Sequence, residues 1–529
     1  MLFNSFEFLF VFFPATLASY WLFQRFGDRA QQLILLAASL IFYAFWDVRF
    51  VSLLISSILV NYGIGLAIWA CTQQGRHWAA SLLLSLGVAA NLAAIGVFKY
   101  AGFFVRNINL LSGTDIFLGE IILPLGISFF TFEQISFLVD VRHGQSRPSD
   151  PLRYALFVSF FPRVVAGPIL RFGEIDPQLA RSLRKPLVAE DLMVGLTIFF
   201  FGLVKKTVLA DGVAPYATSV FQSASTGSRV DFFSAWSGVL AYTCQLYFDF
   251  SGYSDMAIGV ARCFGIRFPM NFFSPYQATN IVEFWRRWHI TLSRFLRDYL
   301  YIGLGGNRRG TTRRYMNLMI TMLLGGLWHG ANWTFVIWGG LHGCYLMINQ
   351  AWLAASRNSA AVATFRRSRV GAGFGWALTF LAVVVAWVFF RAPSLDVAFI
   401  LLKGMTAQNG IAIPAGLAFA LEPMQGLMAA LGITFENESG TEFVKAYLWL
   451  VPLLTIALLA PNTQQLMRGY EPVLDLPATR SMEVDDERGL ALLRLRWVPS
   501  PGWAIATGAL AFFGIISITR VSEFLYWQF

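Results

Sequence analysis

Residues 50–70, FVSLLISSILVNYGIGLAIWA, decide the fold class of this chain. The stretch contains no charged residue, and it has the roughly 20 residues that an α-helix needs to cross a bilayer. Similar apolar runs cover 4–24, 31–47 and 78–98. Because backbone groups in lipid must form their hydrogen bonds internally, such runs predict membrane-spanning helices. Run 4–24 has neither a basic start nor a small-residue cleavage site, so we expect a retained first span.

The composition of the whole chain supports the same fold class. Of its 529 residues, 56% are hydrophobic and 13% are charged, whereas a soluble domain is about 25% charged. The aromatic share of 16% is typical of a protein that meets lipid and the membrane interface. This composition excludes a set of soluble domains. We predict an all-α polytopic integral membrane protein.

Further apolar runs continue to the end of the chain. They lie at 190–204, 232–248, 315–328, 333–352, 371–390, 446–460 and 502–519. The stretch 117–139 is interrupted by Pro124, Gly126 and Glu133, which predicts a broken helix inside the bundle. The stretch 151–170 mixes arginines and prolines with apolar residues, which predicts a re-entrant or interfacial segment buried in protein.

The arginines predict the orientation in the membrane. The loop 307–314, NRRGTTRR, contains four of them, and 353–370 and 461–500 are also arginine-rich. Residues 404–444 contain no lysine or arginine. Since cytoplasmic loops are enriched in basic residues, we expect the first three segments in the cytoplasm and 404–444 outside. The net charge of +10 is then a matter of topology, and we expect no nucleic-acid partner.

The run 315–328 is short for a membrane span. As a helix, its 14 residues would extend roughly 21 Å, whereas the hydrocarbon core is roughly 30 Å thick. His329 follows directly. We therefore expect this histidine within the depth of the membrane, nearer the outer side.

Two carboxylates interrupt an apolar segment, YFDFSGYSDMAIG (247–259). Asp249 and Asp255 at this depth each cost several kcal/mol unless they are paired or hydrated, so such residues mark functional sites by default. An alternative of similar weight is that they pair with Arg286 or Arg287 and hold the bundle together.

Three of the five histidines of the chain lie within one region. His289 lies in NIVEFWRRWHITLSRFLRDYLYIGLGG (280–306), which is too charged to span and predicts a helix in the cytoplasmic interface or one that enters the bundle from it. His329 lies in a WHG turn, and His342 follows it on the next helix. Histidine is the usual general base for a hydroxyl or thiol. No HxxxH or CxxC pair is present, so no metal site is predicted.

At these residues the sequence resembles the membrane-bound O-acyltransferase family. The motifs are EFWRRWHITLSRFLRDYLYI (283–302), GNRRG (306–310) and GGLWHGANWTF (325–335). The stretches KYAGFFVRNIN, LPLGISFFTFEQISFLVDVRHG, VAGPILRF and QLYFDFSGYSDMAIG are similar to its bacterial alginate O-acetyltransferase branch. The resemblance covers residues 1 to about 404. Arg163 stands where this branch would lead us to expect histidine.

The resemblance implies a fold and a catalytic centre. The fold is a ring of about 11–13 transmembrane helices, with re-entrant or interfacial helices, around a central tunnel. His329 is implied to be the catalytic residue, His289 is implied to support it, and His342 is expected to lie behind them. The membrane core would be 1–404, with a catalytic region at about 245–345. Residues 405–529 would add an extracytoplasmic loop, two spans and a cytoplasmic loop.

The function implied by the resemblance is O-acyl transfer, most simply of acetyl. The donor would be acetyl-CoA or another acyl thioester in the cytoplasm, with no bound cofactor, and the acceptor an exopolysaccharide or another cell-envelope polymer. Implied partners are membrane lipid, a periplasmic acetyltransferase with a serine-hydrolase-like (SGNH-type) site, and the polysaccharide export machinery. The implied location is the bacterial cytoplasmic (inner) membrane.

Several residues are predicted to bind or orient the donor. They are Arg286, Arg287, Asp249, Asp255, Trp328 and Asn332. Guanidinium groups match phosphate oxygens, and the aspartates would shape the tunnel or fix arginine rotamers. Arg308 and Arg309 would either join them or anchor the chain at the cytoplasmic surface.

Three other functions remain as alternatives. A transporter or flippase would also place histidines, aspartates and broken helices in a bundle. D-alanyl transfer to a teichoic-acid-type polymer is a related chemistry. A scaffold for a soluble enzyme would tolerate changes at His329.

Overall fold

The computed structural model describes residues 1–119, 121–165, 167–180, 189–436, 440–474 and 495–519. The described part is mostly helical, as the apolar runs predict. Up to residue 225 the helices are α1 (Phe13–Leu22), α2 (Asp28–Ala44), α3 (Arg49–Gln73), α4 (His77–Ser112), α5 (Ile127–Arg142), α6 (Pro151–Ser159), α7 (Phe172–Ala180) and α8 (Ala189–Ser225). α4 and α8 each run through a π-helical turn, Gly96–Tyr100 and Lys205–Ala210 respectively.

The described residues of the second half are mostly helical and include one two-stranded sheet. Its helices are α9 (Phe232–Cys263), α10 (Ile281–Arg287), α11 (Ile290–Phe295), α12 (Gly310–His329), α13 (Trp333–Asn358), α14 (Ala360–Arg367), α15 (Arg369–Arg391), α16 (Leu395–Met405), α17 (Gln425–Ala430), α18 (Gly440–Leu459), α19 (Thr463–Leu466) and α20 (Pro501–Ile516). Strands β1 (Ile411–Pro414) and β2 (Ile433–Glu436) pair in parallel, with Ile411 opposite Ile433.

Five described helices are long and apolar enough to cross a membrane, namely α3, α4, α8, α15 and α18. α9, α12 and α13 are also long, with 32, 20 and 26 residues, but polar side chains lower their hydropathy. The chain is an all-α multi-pass membrane protein. Three of the predicted spans, 232–248, 315–328 and 333–352, fall in these more polar helices, and the number of about 11–13 membrane helices stays a prediction.

The predicted bounds of the helix before His329 were wrong. α12 begins at Gly310 and has 20 residues, so it extends about 30 Å, and His329 is its last residue. A hydropathy criterion leaves Arg313 and Arg314 outside the predicted helix. Long arginine side chains at the end of a span can nevertheless reach the interface while their backbone stays helical. The broken helix predicted for 117–139 was wrong, because one helix begins at Ile127, after Pro124 and Gly126, and runs unbroken through Glu133.

α9 is buried along most of its length and packs closely against α8. A Cβ atom on Gly202 would lie 2.5 Å from the carbonyl oxygen of Gly252, and one on Gly259 would lie 2.5 Å from that of Gly195. The two backbones therefore touch, as small residues permit between membrane helices. This contact brings the π-helical turn of α8, with Lys205, against α9.

Segments beyond residue 404 pack onto the helices before it. The hydroxyl of Thr463 and the amide of Gln464 donate hydrogen bonds to Asp255, at 2.7 and 3.0 Å. The hydroxyl of Thr207 donates to the carbonyl of Gly514, in α20, at 2.9 Å. The division of the chain at residue 404 stays a prediction.

α12 and α13 form a hairpin that carries His329 at its turn. A Cβ atom on Gly326 would lie 2.2 Å from the carbonyl oxygen of Phe335, and one on Gly339 would lie 2.3 Å from that of Met322. Neither position has room for a side chain. The two glycines therefore fix the distance between the helices and with it the position of His329.

Gly339→Ala is expected to lower the free energy of unfolding by about 1–3 kcal/mol, the usual cost of overpacking. The added methyl group would push α13 away from α12, because the atom it meets belongs to backbone. The matched control is Gly340→Ala, whose Cβ would lie 3.5 Å from a leucine methyl carbon, an ordinary contact. Thermal unfolding of the two variants in detergent measures the difference. Equal midpoints would contradict the close packing.

Candidate active site

His329 is buried in a cage of aromatic rings. The centre of its ring lies 4.9 Å from that of Trp328, 5.1 Å from that of Trp338 and 5.1 Å from that of Phe390. The ring of His289 lies 6.5 Å away. Three helices and the turn between α10 and α11 thus meet at this histidine. The structure brings together the two histidines that the sequence analysis placed in the catalytic centre.

The turn after His329 has a specific sequence requirement. A Cβ atom on Gly330 would lie 2.1 Å from the ring of Phe335, so only glycine fits there. The side chain of Asn332 caps α13 by accepting a hydrogen bond from the amide of Thr334, and its amide donates to the carbonyl of Pro393 at 3.0 Å. Asn332 therefore holds the turn in place, while its predicted role in donor binding stays a prediction.

Two residues of the π-helical turn in α4 hold the C-terminal end of α12. The ammonium of Lys99 donates to the carbonyl oxygens of Trp328 and His329, at 2.5 and 3.1 Å. The hydroxyl of Tyr100 donates to the carbonyl of Leu327 at 2.9 Å. The last carbonyls of a helix have no partner within it, and its C-terminal end attracts cations. Lys99 was not among the predicted site residues, although a lone lysine directly after an apolar run is a signal for a buried, functional charge.

His289 occupies the break between α10 and α11. Its backbone φ of +42° lies in the left-handed region, and its side chain is fully buried. The edge of its ring meets Phe250 with the ring centres 4.7 Å apart. The helix predicted for 280–306 is interrupted here, because α10 ends at Arg287, Trp288 is extended, and α11 begins only at Ile290. The break turns the imidazole inward toward His329.

His342 lies one layer behind these two histidines. Its ring packs against Trp338 at 4.8 Å and against Trp285 at 5.1 Å between ring centres. Trp338 in turn contacts His329. One indole therefore separates His342 from His329, which agrees with the supporting position expected for it.

The two aspartates of α9 pair with lysines, not with the predicted arginines. Asp249 pairs with Lys206 at 2.7 Å, and Lys206 also pairs with Asp211 at 2.7 Å. Asp255 pairs with Lys205 at 2.6 Å. The predicted pairing with Arg286 or Arg287 was wrong, since α8 presents its two lysines directly to α9. The aspartates lie in the interface of these helices, and their predicted part in donor binding is unsupported by this position.

The predicted arginines are divided between buried and exposed positions. Arg287 is buried and pairs with Glu283 at 2.8 Å, whereas Arg286 is exposed. Arg308 and Arg309 are also exposed, in the loop before α12. Their position suits either anchoring at the membrane surface or contact with an anionic ligand.

A cavity of about 360 Å³ opens beside His329. We call it the His329 cavity. It is lined by Lys99, Ser128, Trp328 and His329, and by Trp46, Phe129, Val165 and residues 121–127. Most of the wall is apolar, and His329 is the one histidine among the described residues that line it. A group held here can meet the histidine directly.

A second cavity, of about 280 Å³, lies toward the other end of α12. We call it the Arg314 cavity, and its walls include Trp285, Arg297, Tyr301, Asn307, Arg314 and Met322. Met322 precedes His329 by seven residues, or about 10 Å along the helix. Trp285 contacts Trp338, which contacts His329, at 5.9 and 5.1 Å between ring centres. Ring contacts through Trp338 thus connect a wall of the Arg314 cavity to His329.

Comparison with known proteins identifies the family. Residues 141–390 match the model of the membrane-bound O-acyltransferase family. A peptidoglycan O-acetyltransferase of Helicobacter pylori is 43% identical over 440 residues, which are 78% of this chain and 81% of that protein. This chain belongs to the membrane-bound O-acyltransferase family.

Two further relatives differ in their degree of similarity. A probable alginate O-acetylase of Azotobacter vinelandii is 46% identical over 415 residues, 77% of this chain and 78% of that protein. A teichoic acid D-alanyltransferase of Streptococcus thermophilus is 28% identical over 281 residues, 50% of this chain and 68% of that protein. This membrane-bound O-acyltransferase is thus more similar to the two O-acetyl-transferring enzymes than to the D-alanyltransferase.

Membership confirms the family and the enzyme class that the EFWRRWH and WHG motifs predict. The matched segment 141–390 contains His289, His329 and His342, together with both α9 aspartates. It excludes Lys99. The protein is a membrane O-acyltransferase, and the roles of its individual residues stay predictions.

Proposed function

We propose that this membrane O-acyltransferase takes an acetyl group from a cytoplasmic thioester, most simply acetyl-CoA, and delivers it for O-acetylation of a cell-envelope polysaccharide. The observation that carries the proposal is the position of His329. His329, the last residue of α12, lines the His329 cavity. The same helix also lines the Arg314 cavity, nearer its start.

His329 acts as the general base in this proposal. Its imidazole takes the proton of the acceptor hydroxyl while the hydroxyl oxygen attacks the carbonyl carbon of the thioester. The carbon–sulfur bond breaks, the acetyl group moves to oxygen, and the thiolate receives the proton. His289, with its ring 6.5 Å from that of His329, supports this proton movement from the adjacent turn.

The Arg314 cavity is the proposed donor side. Arg297 and Arg314 line it, and Arg286, Arg308 and Arg309 are exposed. Guanidinium groups bind phosphate oxygens in bidentate geometry, which suits the phosphates of a nucleotide thioester. The thioester arm would then extend past Trp285 toward His329. The arginine-rich loop 307–314 supports a cytoplasmic location for this cavity.

The acceptor side is the His329 cavity, at the opposite end of α12. Relatives named for peptidoglycan and alginate support an envelope polysaccharide as the final acceptor. Partners proposed on the same basis are a periplasmic acetyltransferase with an SGNH-type site and the export machinery of the polymer. The proposed location is the bacterial inner membrane.

Deletion of the gene in the native host tests this proposal. The acetate and D-alanine that mild base releases from the envelope polymers are measured with and without wild-type complementation. We expect acetate to fall to background and to return on complementation, with D-alanine unchanged. Loss of D-alanine instead would favour the alternative named by the 28% identical relative. Unchanged acetate would contradict the proposal.

A further inference from the structure

Asn271 is the residue that carries an inference beyond the proposed reaction. It is fully buried and follows α9 in the chain. Its side-chain oxygen lies 3.1 Å from Nδ1 of His289 and accepts hydrogen bonds from the hydroxyl and amide of Thr291, at 2.9 and 3.4 Å. Its side-chain amide donates to the hydroxyl of Ser254 at 3.1 Å. One amide group thus joins α9 to the turn that holds His289.

The network fixes which way the Asn271 amide points. The backbone N–H of Thr291 is only a donor, so the atom facing it must be the oxygen of Asn271. The same oxygen faces Nδ1 of His289, and an oxygen without hydrogen can only accept. Nδ1 therefore carries the proton. A neutral imidazole has one N–H, so its Nε2 carries the lone pair.

Asn271 also holds the backbone of this turn. Its carbonyl accepts from the amide of Ile290 at 3.0 Å, and the amide of Phe273 donates to the carbonyl of Arg287 at 2.9 Å. His289 lies between these two contacts with its φ of +42°. A residue in this backbone region costs energy and persists only where its surroundings determine it. The two backbone hydrogen bonds to 271–273 hold His289 in this conformation.

We infer that Asn271 is a positioning residue that keeps His289 in the tautomer with the proton on Nδ1, so that Nε2 is a proton acceptor in the acyl-transfer site. This inference rests on the proposed function, in which His289 supports His329. It states the direction of proton transfer, since Nε2 of His289 receives a proton and does not donate one. None of the sequence motifs singled out Asn271.

A double-mutant cycle tests the inference. Acetyl transfer to the envelope polymer is measured in membranes supplied with labelled acetyl-CoA, for Asn271→Leu, His289→Ala and the double variant. We expect Asn271→Leu to lower the rate by about 10- to 100-fold, the loss that follows removal of the hydrogen-bond partner of a metal-bound histidine. Because Asn271 acts through His289, the double variant should be no slower than His289→Ala. Multiplied losses would overturn the inference.

A conservative variant keeps the test decisive if Asn271→Leu fails to accumulate. Asn271→Asp retains the acceptor oxygen for Nδ1 and should keep the rate within about tenfold of the wild-type rate. A loss as large as that of His289→Ala, in a variant of normal abundance and thermal stability, would overturn the inference. Absence of transfer by the wild-type membranes would instead refute the proposed function.

Discussion

His329→Ala is expected to reduce acetylation of the envelope polymer to the level of the deletion strain, while the variant accumulates normally in the membrane. General-base catalysis contributes about 10²- to 10⁴-fold, so its loss should remove nearly all product. The fold should survive, because Lys99 and Tyr100 hold the end of α12 through backbone carbonyls that alanine retains. The measurement is base-released acetate per cell, with an immunoblot of the membrane fraction.

The control for this prediction is a histidine outside the site. His77 is exposed at the start of α4, and His77→Ala should leave acetylation unchanged. Normal acetylation by His329→Ala would remove the proposed base. Another group of this acyltransferase would then have to serve as the base.

Arg163→Met is expected to lower the free energy of unfolding by about 3–5 kcal/mol. Arg163 and Glu133 form an ion pair in which both side chains are completely buried. Glu133 also accepts a hydrogen bond from the amide of Leu170 at 2.9 Å, and Arg163 donates to the carbonyl of Val158. Removal of the arginine leaves a carboxylate without its counter-ion inside the bundle. Thermal unfolding in detergent measures the effect.

Two controls accompany this variant. The double substitution Glu133→Gln with Arg163→Met should recover most of the lost stability, since it removes both charges at once. Arg308→Met, at an exposed position, should unfold like the wild type. If Arg163→Met alone unfolds like the wild type, the pair does not stabilise the bundle. The same pair explains how this chain accommodates arginine where the family resemblance led us to expect histidine.

The sequence predicts those helices whose residues are apolar along most of their length. Runs 50–70 and 371–390 lie in helices that are long and apolar enough to cross a membrane. The start of α12 was missed, since hydropathy cannot distinguish an arginine in a helix end from one in a loop. The lysine partners of Asp249 and Asp255 were missed for another reason. They follow from glycine contacts between α8 and α9, which no local pattern specifies.

The candidate site was predictable where a short motif carried it. His329 lies in WHG and His289 in a segment of unusual charge, so both could be singled out before their rings were seen to meet. Lys99 and Asn271 escaped, because each acts through a partner distant in the sequence. The bond of Lys99 to His329 joins residues 230 positions apart. Asn271 matters only because the left-handed break at His289 turns that ring toward it.

The central claim is that an acetyl group crosses the membrane through chemistry at His329. The most direct test supplies inverted membrane vesicles, whose cytoplasmic face is outward, with acetyl-CoA labelled in the acetyl group. Labelled O-acetyl esters are expected on polymer inside the vesicles, together with one free thiol per ester. Vesicles containing His329→Ala should form neither. Equal amounts of labelled ester in wild-type and His329→Ala vesicles, or uptake of label with the thioester intact, would contradict this claim.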